Sequence, residues 1–193
     1  VGRVWLVEEG QALVTEARAG EVVLAGTISG KKIGALPAAT LGALADRFDR
    51  ILVEGDGARS LPLKIHSARD PVVPPETMVL VALAGLSAFG KPLDEQTCHM
   101  PQRLRELTGW EGPVVDASLY LHLLEHPEGL LKGRGDVPAL VLLNQADVLG
   151  NHELRKLADV FRPCAVTHPC TLVLGSWHQE RTCAHEVLGG FAC

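Results

Sequence analysis

The segment Ile51-Leu52-Val53-Glu54-Gly55-Asp56-Gly57 sets three aliphatic residues in a row against an acidic, glycine-rich end. An unbroken apolar run of this kind predicts a strand over Arg50–Glu54 buried on both faces, as in a parallel sheet covered by helices. In open α/β sheets ligands bind beyond the carboxyl ends of the strands. Glu54 and Asp56 stand at such an end, and being two apart they share a side if the strand persists. A hard divalent cation takes oxygen ligands, so the pair is a candidate magnesium-handling, catalytic acid. Gly57 would let the backbone approach a terminal phosphate. The plainer reading of the same residues is a strand running into an acidic turn.

A second stretch repeats the pattern. Val141-Leu142-Leu143 leads into Asn144-Gln145-Ala146-Asp147, which puts Asn-Gln-x-Asp where GTP-binding proteins carry Asn-Lys-x-Asp. There the aspartate accepts hydrogen bonds from guanine N1 and N2 while the asparagine fixes the loop. Gln145 replaces the lysine whose stem packs on the base. Leu172-Val173-Leu174-Gly175-Ser176 ends in a Gly-Ser pair that offers a second wall for a base. The alternative is an Asn/Asp turn that caps the next helix.

Further apolar runs predict strands at Val4–Val7, Val22–Ala25, Met78–Leu83, Ala139–Leu143 and Thr171–Leu174. Helical periodicity falls on Ala38–Phe48, Pro101–Thr108, Ala117–His126 and His152–Phe161, with Asp116 and Asn151 as N-caps. The proline-rich segment from Asp70 to Pro75 predicts an extended connection. Strands alternating with helices imply an α/β fold, an open, mostly parallel sheet flanked by helices. With carboxylates at two strand ends, the fold expected is P-loop NTPase-like. The 193 residues fit a single domain, 1–193.

No Gly-x4-Gly-Lys-Ser/Thr loop, whose amides and lysine cradle phosphates, occurs in the chain. Gly26-Thr27-Ile28-Ser29-Gly30-Lys31-Lys32 comes nearest, but three residues separate its glycines and Lys32 stands in place of the hydroxyl. An ordinary basic turn is expected there.

The blocks Glu54-Gly55-Asp56-Gly57-Ala58-Arg59-Ser60-Leu61-Pro62-Leu63-Lys64 and Asp70-Pro71-Val72-Val73-Pro74, followed by Leu86–Lys91 and Pro92-Leu93, resemble the YqeC-like family. That family is identified with accessory proteins of selenium-dependent hydroxylases. Its pattern is Val-Glu-Ala-Asp-Gly-Ser/Ala-Arg, Pro-Leu-Lys, then Glu-Pro-Val-Ile-Pro. The resemblance implies a P-loop NTPase-type fold, magnesium with ATP or GTP once the phosphate loop is complete, and a role in maturing a molybdenum hydroxylase. That enzyme or its pterin cofactor is the implied partner. It also raises Lys64 to a phosphate-contacting candidate. The nucleotide set is then Gly57, Lys64, Asn144, Asp147 and Ser176, with Glu54 and Asp56 for magnesium. Family members begin with a strand and a Gly-Gly-x-Gly-Lys-Thr-Thr-like phosphate loop, so the resemblance implies a Walker A segment upstream of Val1, the chain being either truncated or naturally stripped of it. They also carry a basic residue after the histidine that matches His99, where this chain has Met100.

Composition sets the outer bounds. A net charge of -5 leaves no basic excess to displace counterions from nucleic acid. No apolar run reaches the length of a membrane span, and five cysteines without framework spacing fit reduced thiols in the cytoplasm. Cys164, His168, Cys170, His178, Cys183 and His185 crowd the C-terminal part. They lack a Cys-x2-Cys knuckle, so scattered core or surface residues are expected rather than a metal site. The favoured function is that of a nucleotide-dependent accessory protein. A non-catalytic scaffold or cofactor carrier on the same fold is the alternative.

Overall fold

In the computed structural model, which describes residues 3–7, 20–29, 32–167, 170–178 and 181–188, the chain divides into two units, Val1–Val53 and Glu54–Cys193. In the first unit β1 (Arg3–Val7) and β2 (Val23–Ser29) run parallel, with Trp5 opposite Ala25. Both strands were legible as apolar runs. β2 then turns back antiparallel onto β3 (Lys32–Gly34), so the glycine-containing stretch from Gly26 is a β-hairpin, its tip outside the described residues. A Cβ on Gly26 would run into the Ile33 side chain, so this glycine serves close strand packing. α1 (Ala38–Ala45) follows, ending one turn short of the expected Phe48.

The second unit contains β4 (Leu63–Lys64), β5 (Leu80–Gly85), β6 (Cys98–His99), α2 (Pro101–Thr108), α3 (Ala117–Glu125), β7 (Ala139–Asn144), α4 (Asn151–Thr167), β8 (Cys170–His178) and β9 (Arg181–Leu188). Its main sheet has the order β5-β7-β8-β9, with the first three strands parallel and β9 antiparallel. β4 and β6 form a separate parallel pair. The fold is thus mixed α/β with small open sheets.

Passing from β5 to β7 to β8, the chain steps across the sheet in one direction. Right-handed crossovers therefore put α3 and α4 on the same face. On that face Ala84, Val141, Leu143, Leu172 and Leu174 share one core with Leu119, Tyr120 and Leu123 of α3 and Leu157 and Phe161 of α4. On the other face Val81 and Leu83 are 45% and 62% exposed. β7 alternates buried with half-buried positions, so its continuous apolar run does not reflect burial on two faces.

The largest correction concerns Arg50–Glu54. Residues 50–58 lie in no strand, and Leu52 is 96% exposed. The central strand of the main sheet's parallel trio is β7 alone. Gly55 bonds instead with the proline-rich segment, its carbonyl accepting from Val72 N–H at 3.1 Å. Pro71, Pro74 and Pro75 have no N–H to offer, so that contact does not extend into a ladder. Among the described residues no strand pairs with Leu52 and its neighbours.

The helices fall close to expectation. Asp116 caps α3, its side chain accepting from Leu119 N–H at 3.0 Å. At α4 the first turn closes from Leu154 N–H to the Gly150 carbonyl, which makes Gly150 the cap in place of Asn151. The Glu153 carboxylate reaches back to Gly150 N–H at 2.9 Å, the reciprocal half of a capping box. α4 also runs through Pro163 rather than stopping at Phe161. Asp159, whose carbonyl the proline leaves unbonded, is exposed and can be solvated. No described helix is long and apolar enough to cross a membrane.

Candidate functional site

Parallel strands present their carboxyl ends together, and here β5 and β7 end in register at Gly85 opposite Asn144. Beyond that point Gln145 takes a left-handed backbone, φ 66°, and residues 146–148 form one 3-10 turn. The Asn144 Oδ1 accepts from Gln145 N–H at 2.7 Å and from Trp177 N–H at 3.0 Å. Ser176 Oγ accepts from Asp147 N–H at 2.9 Å. Two side chains thus tie the end of β7 to the end of β8. Asp147 is exposed, and its carboxylate pairs with no described residue.

A second cluster grows from Leu63-Lys64-Ile65-His66. Leu63 and Ile65 are buried, and the alternation of an extended chain turns Lys64 and His66 the other way. In the β4–β6 register Lys64 lies beside His99. Lys64 Nζ reaches Asp56 Oδ2 at 2.9 Å, the Gly57 carbonyl at 3.0 Å and Asp70 Oδ2 at 3.4 Å, which occupies all three ammonium protons. Asp56 Oδ2 also contacts His66 Nδ1 at 2.5 Å. Ser67 Oγ donates to Asp70 at 2.8 Å, and this bond, ahead of the Lys64 charge, holds the Asp70 carboxyl below its usual range. Loss of solvent, then the Arg59 and Lys64 charges, lowers the basicity of His99. His66 is the residue the motifs missed. Its signal was the alternation at 63–66, which puts it on the side of Lys64.

Gly85 joins the two clusters. Its N–H donates to the Pro62 carbonyl at 2.7 Å, and its carbonyl accepts from the buried Tyr120 hydroxyl at 2.7 Å. A Cβ at this position would stand 2.5 Å from Gln145 Oε1 and 2.8 Å from Pro62 Cβ. Glycine is required here for close approach, since φ is an ordinary -91°. Pro62, just ahead of Lys64, and Gln145, just ahead of Asp147, thereby meet at the carboxyl end of β5.

Among the described residues no three His, Cys, Asp or Glu side chains converge as a metal site. Magnesium, however, often takes only one or two carboxylates and draws its other ligands from water and phosphate. Glu54, which is exposed, and the Asp56 oxygen not used by Lys64 and His66 are hard donors of that type. Cys170 is buried, and burial raises its thiol pKa. The side chains of Cys164, His168, His178, Cys183 and His185 lie outside the described residues. His122 Nε2 is engaged by the Thr108 carbonyl at 2.9 Å and His126 Nδ1 by Glu128 N–H at 3.1 Å, so this helical pair has local partners. Met100, in place of the expected basic residue, sits in a left-handed conformation at the start of α2 and packs on the core.

The second unit is a mixed α/β protein fold with a small open, mostly parallel sheet and polar loops at the carboxyl ends of its parallel strands. The chain belongs to the YqeC family, whose sequence pattern matches residues 5–102. It is 32% identical over 109 residues to "Uncharacterized protein YqeC" of Escherichia coli (strain K12), an overlap of 53% of this chain and 41% of that protein. The chain therefore aligns with about two fifths of its relative's length. No solved structure matches it.

Proposed function

We propose that the protein is a nucleotide-dependent accessory factor of P-loop NTPase type, acting in the maturation of a selenium-dependent molybdenum hydroxylase. The observation that supports nucleotide binding best is the loop after β7. Asn144 and Ser176 fix its backbone while Asp147 keeps a free carboxylate at the sheet's ligand edge. A carboxylate so placed matches the two adjacent donors of guanine. Glu54 and Asp56 would hold magnesium as hard oxygen donors, and the ion would supply charge neutralisation for phosphate. Gly57 lies next to them. The hydroxylase or its pterin cofactor is the partner that the family resemblance supports.

One observation favours the second reading, a scaffold or cofactor carrier without phosphate chemistry: the Lys64 ammonium already has three protein acceptors. Trp177 separates the two. It is 39% exposed and bonded to Asn144, so nucleotide entering this loop should alter its fluorescence. Titrating the full-length protein with GTP and ATP should give a saturable change, stronger for GTP, that Trp177→Phe removes. No response to either nucleotide, with calorimetry also silent, would leave the scaffold.

A further inference from the structure

We propose that Arg59 and His99 form a binding site for a phosphate-class oxyanion, with Arg59 presented by a strained turn at residues 58–61. Leu61 N–H donates to the Ala58 carbonyl at 3.0 Å, and the two residues between them, Arg59 and Ser60, have φ of 53° and 61°. Two successive positive φ values inside one four-residue turn are the pattern of type I′, which draws glycine, asparagine and aspartate. A β-carbon is sterically costly in this region of backbone space, and glycine avoids that cost. The chain has glycine at 55 and 57, yet arginine and serine at the two left-handed positions.

The turn holds this conformation because both of its ends are fixed. The Gly57 carbonyl accepts from Lys64 Nζ at 3.0 Å, and the Pro62 carbonyl accepts from Gly85 N–H at 2.7 Å. Left-handed backbone at non-glycine residues persists where the surroundings over-determine it, and such residues cluster at ligand sites. Packing does not offset the strain here, since Arg59 and Ser60 are both exposed.

Arg59 also differs from the cations around it. Lys64 is bonded to Asp56, Gly57 and Asp70, Arg103 to the His66 carbonyl, and Lys132 to Glu128 and the Ser67 carbonyl. Among the described residues the Arg59 guanidinium has no acceptor and the His99 ring has no hydrogen-bond partner. The two lie close together, for the Arg59 charge acts on His99 more strongly than that of Lys64, its neighbour in the β4–β6 register. Asp56 and Asp70, the acids that act on the same histidine, are themselves paired with Lys64. A planar guanidinium offers a forked donor that matches two phosphate oxygens, and a neutral imidazole adds one N–H. The turn stands just ahead of Pro62, at the carboxyl end of β5, where open α/β sheets take their ligands.

Two measurements on the full-length protein test this. In thermal unfolding, Ser60→Gly should raise the midpoint by about 2–4 °C, whereas Ser60→Ala, which keeps the β-carbon, should not. No rise with glycine would overturn the strained turn. Calorimetric titration with pyrophosphate in magnesium-free buffer tests the site itself. The wild type should bind, and Arg59→Gly should weaken binding by about 10-fold or more while its thermal midpoint holds or rises. Arg59→Lys keeps the charge without the fork and should fall between the two. Absence of pyrophosphate binding, or wild-type affinity in Arg59→Gly, would refute the oxyanion site. GTP then distinguishes the source of the anion: an equal loss of GTP affinity in Arg59→Gly places a nucleotide phosphate here, a loss for pyrophosphate alone places a free oxyanion, and either upholds the site. Pyrophosphate carries no base, so Asp147→Asn should leave its affinity unchanged, and failure of the nucleotide reading stays distinct from failure of this one.

Discussion

Lys64 and His99 lie side by side on β4 and β6, with Asp56, Asp70 and Arg59 near enough to act on the histidine through their charge. Because desolvation and the cations depress His99 in the folded protein, the unfolded chain binds the extra proton more readily. His99 therefore contributes stability that is complete above the unfolded value, about 6.5, and is lost as pH falls through the lower folded value. The thermal midpoint should drop between pH 7.5 and 5.5, and His99→Asn should flatten that part of the profile. An unchanged slope in the variant would count against this. Tyr120 offers a second residue-scale test. Its buried hydroxyl donates to the Gly85 carbonyl, so Tyr120→Phe should cost about 1–3 kcal/mol in denaturant unfolding and loosen the Gly85 junction. At this scale the turn from Asn144 to Asp147 was legible because its residues stand three apart after one apolar run, whereas its bond to Ser176, 29 residues on from Asp147, comes from the pairing of β7 with β8. The Asp56–His66 contact was not legible, because it joins residues ten apart through a bend that no local pattern specifies.

Among the elements, helices followed their reading closely. α2 runs over the residues expected, and α3 begins at the expected cap. Caps and 3.6-residue periodicity are local, so one segment contains the information that forms it. Asp116→Ala should cost about 1 kcal/mol, a drop of roughly 2–4 °C in thermal midpoint for a chain of this size, whereas Asp116→Asn should be close to neutral. Equal effects of the two would mean that the side-chain bond to Leu119 is not what holds the helix start. Strands were harder. Ala139–Leu143 and Arg50–Glu54 look alike as apolar runs, yet β7 has parallel neighbours on both sides and residues 50–54 have none among the described residues. A strand needs a partner that its own sequence does not name, and here the prolines opposite Gly55 supply too few donors to become one.

At the scale of the whole second unit, one-directional strand order explains why helices cover a single face and why polar loops gather at one edge. The Gly85 junction brings the segments of Pro62–Lys64 and Asn144–Asp147 to that edge, and the YqeC family pattern covers residues 5–102 of the chain. The claim on which the functional account turns is that Asp147 reads a guanine base. Calorimetric titration of GTP and of xanthosine triphosphate into the full-length protein and its Asp147→Asn variant tests it most directly. The amide cannot accept from both guanine donors, but it complements the N1–H and O2 of xanthine, so GTP should weaken by 100-fold or more, on the order expected when a site's polar groups lose their partners, while xanthosine triphosphate gains. If Asp147 only shapes the turn before α4, asparagine should serve nearly as well, and unchanged affinities for both nucleotides would contradict the base-reading role.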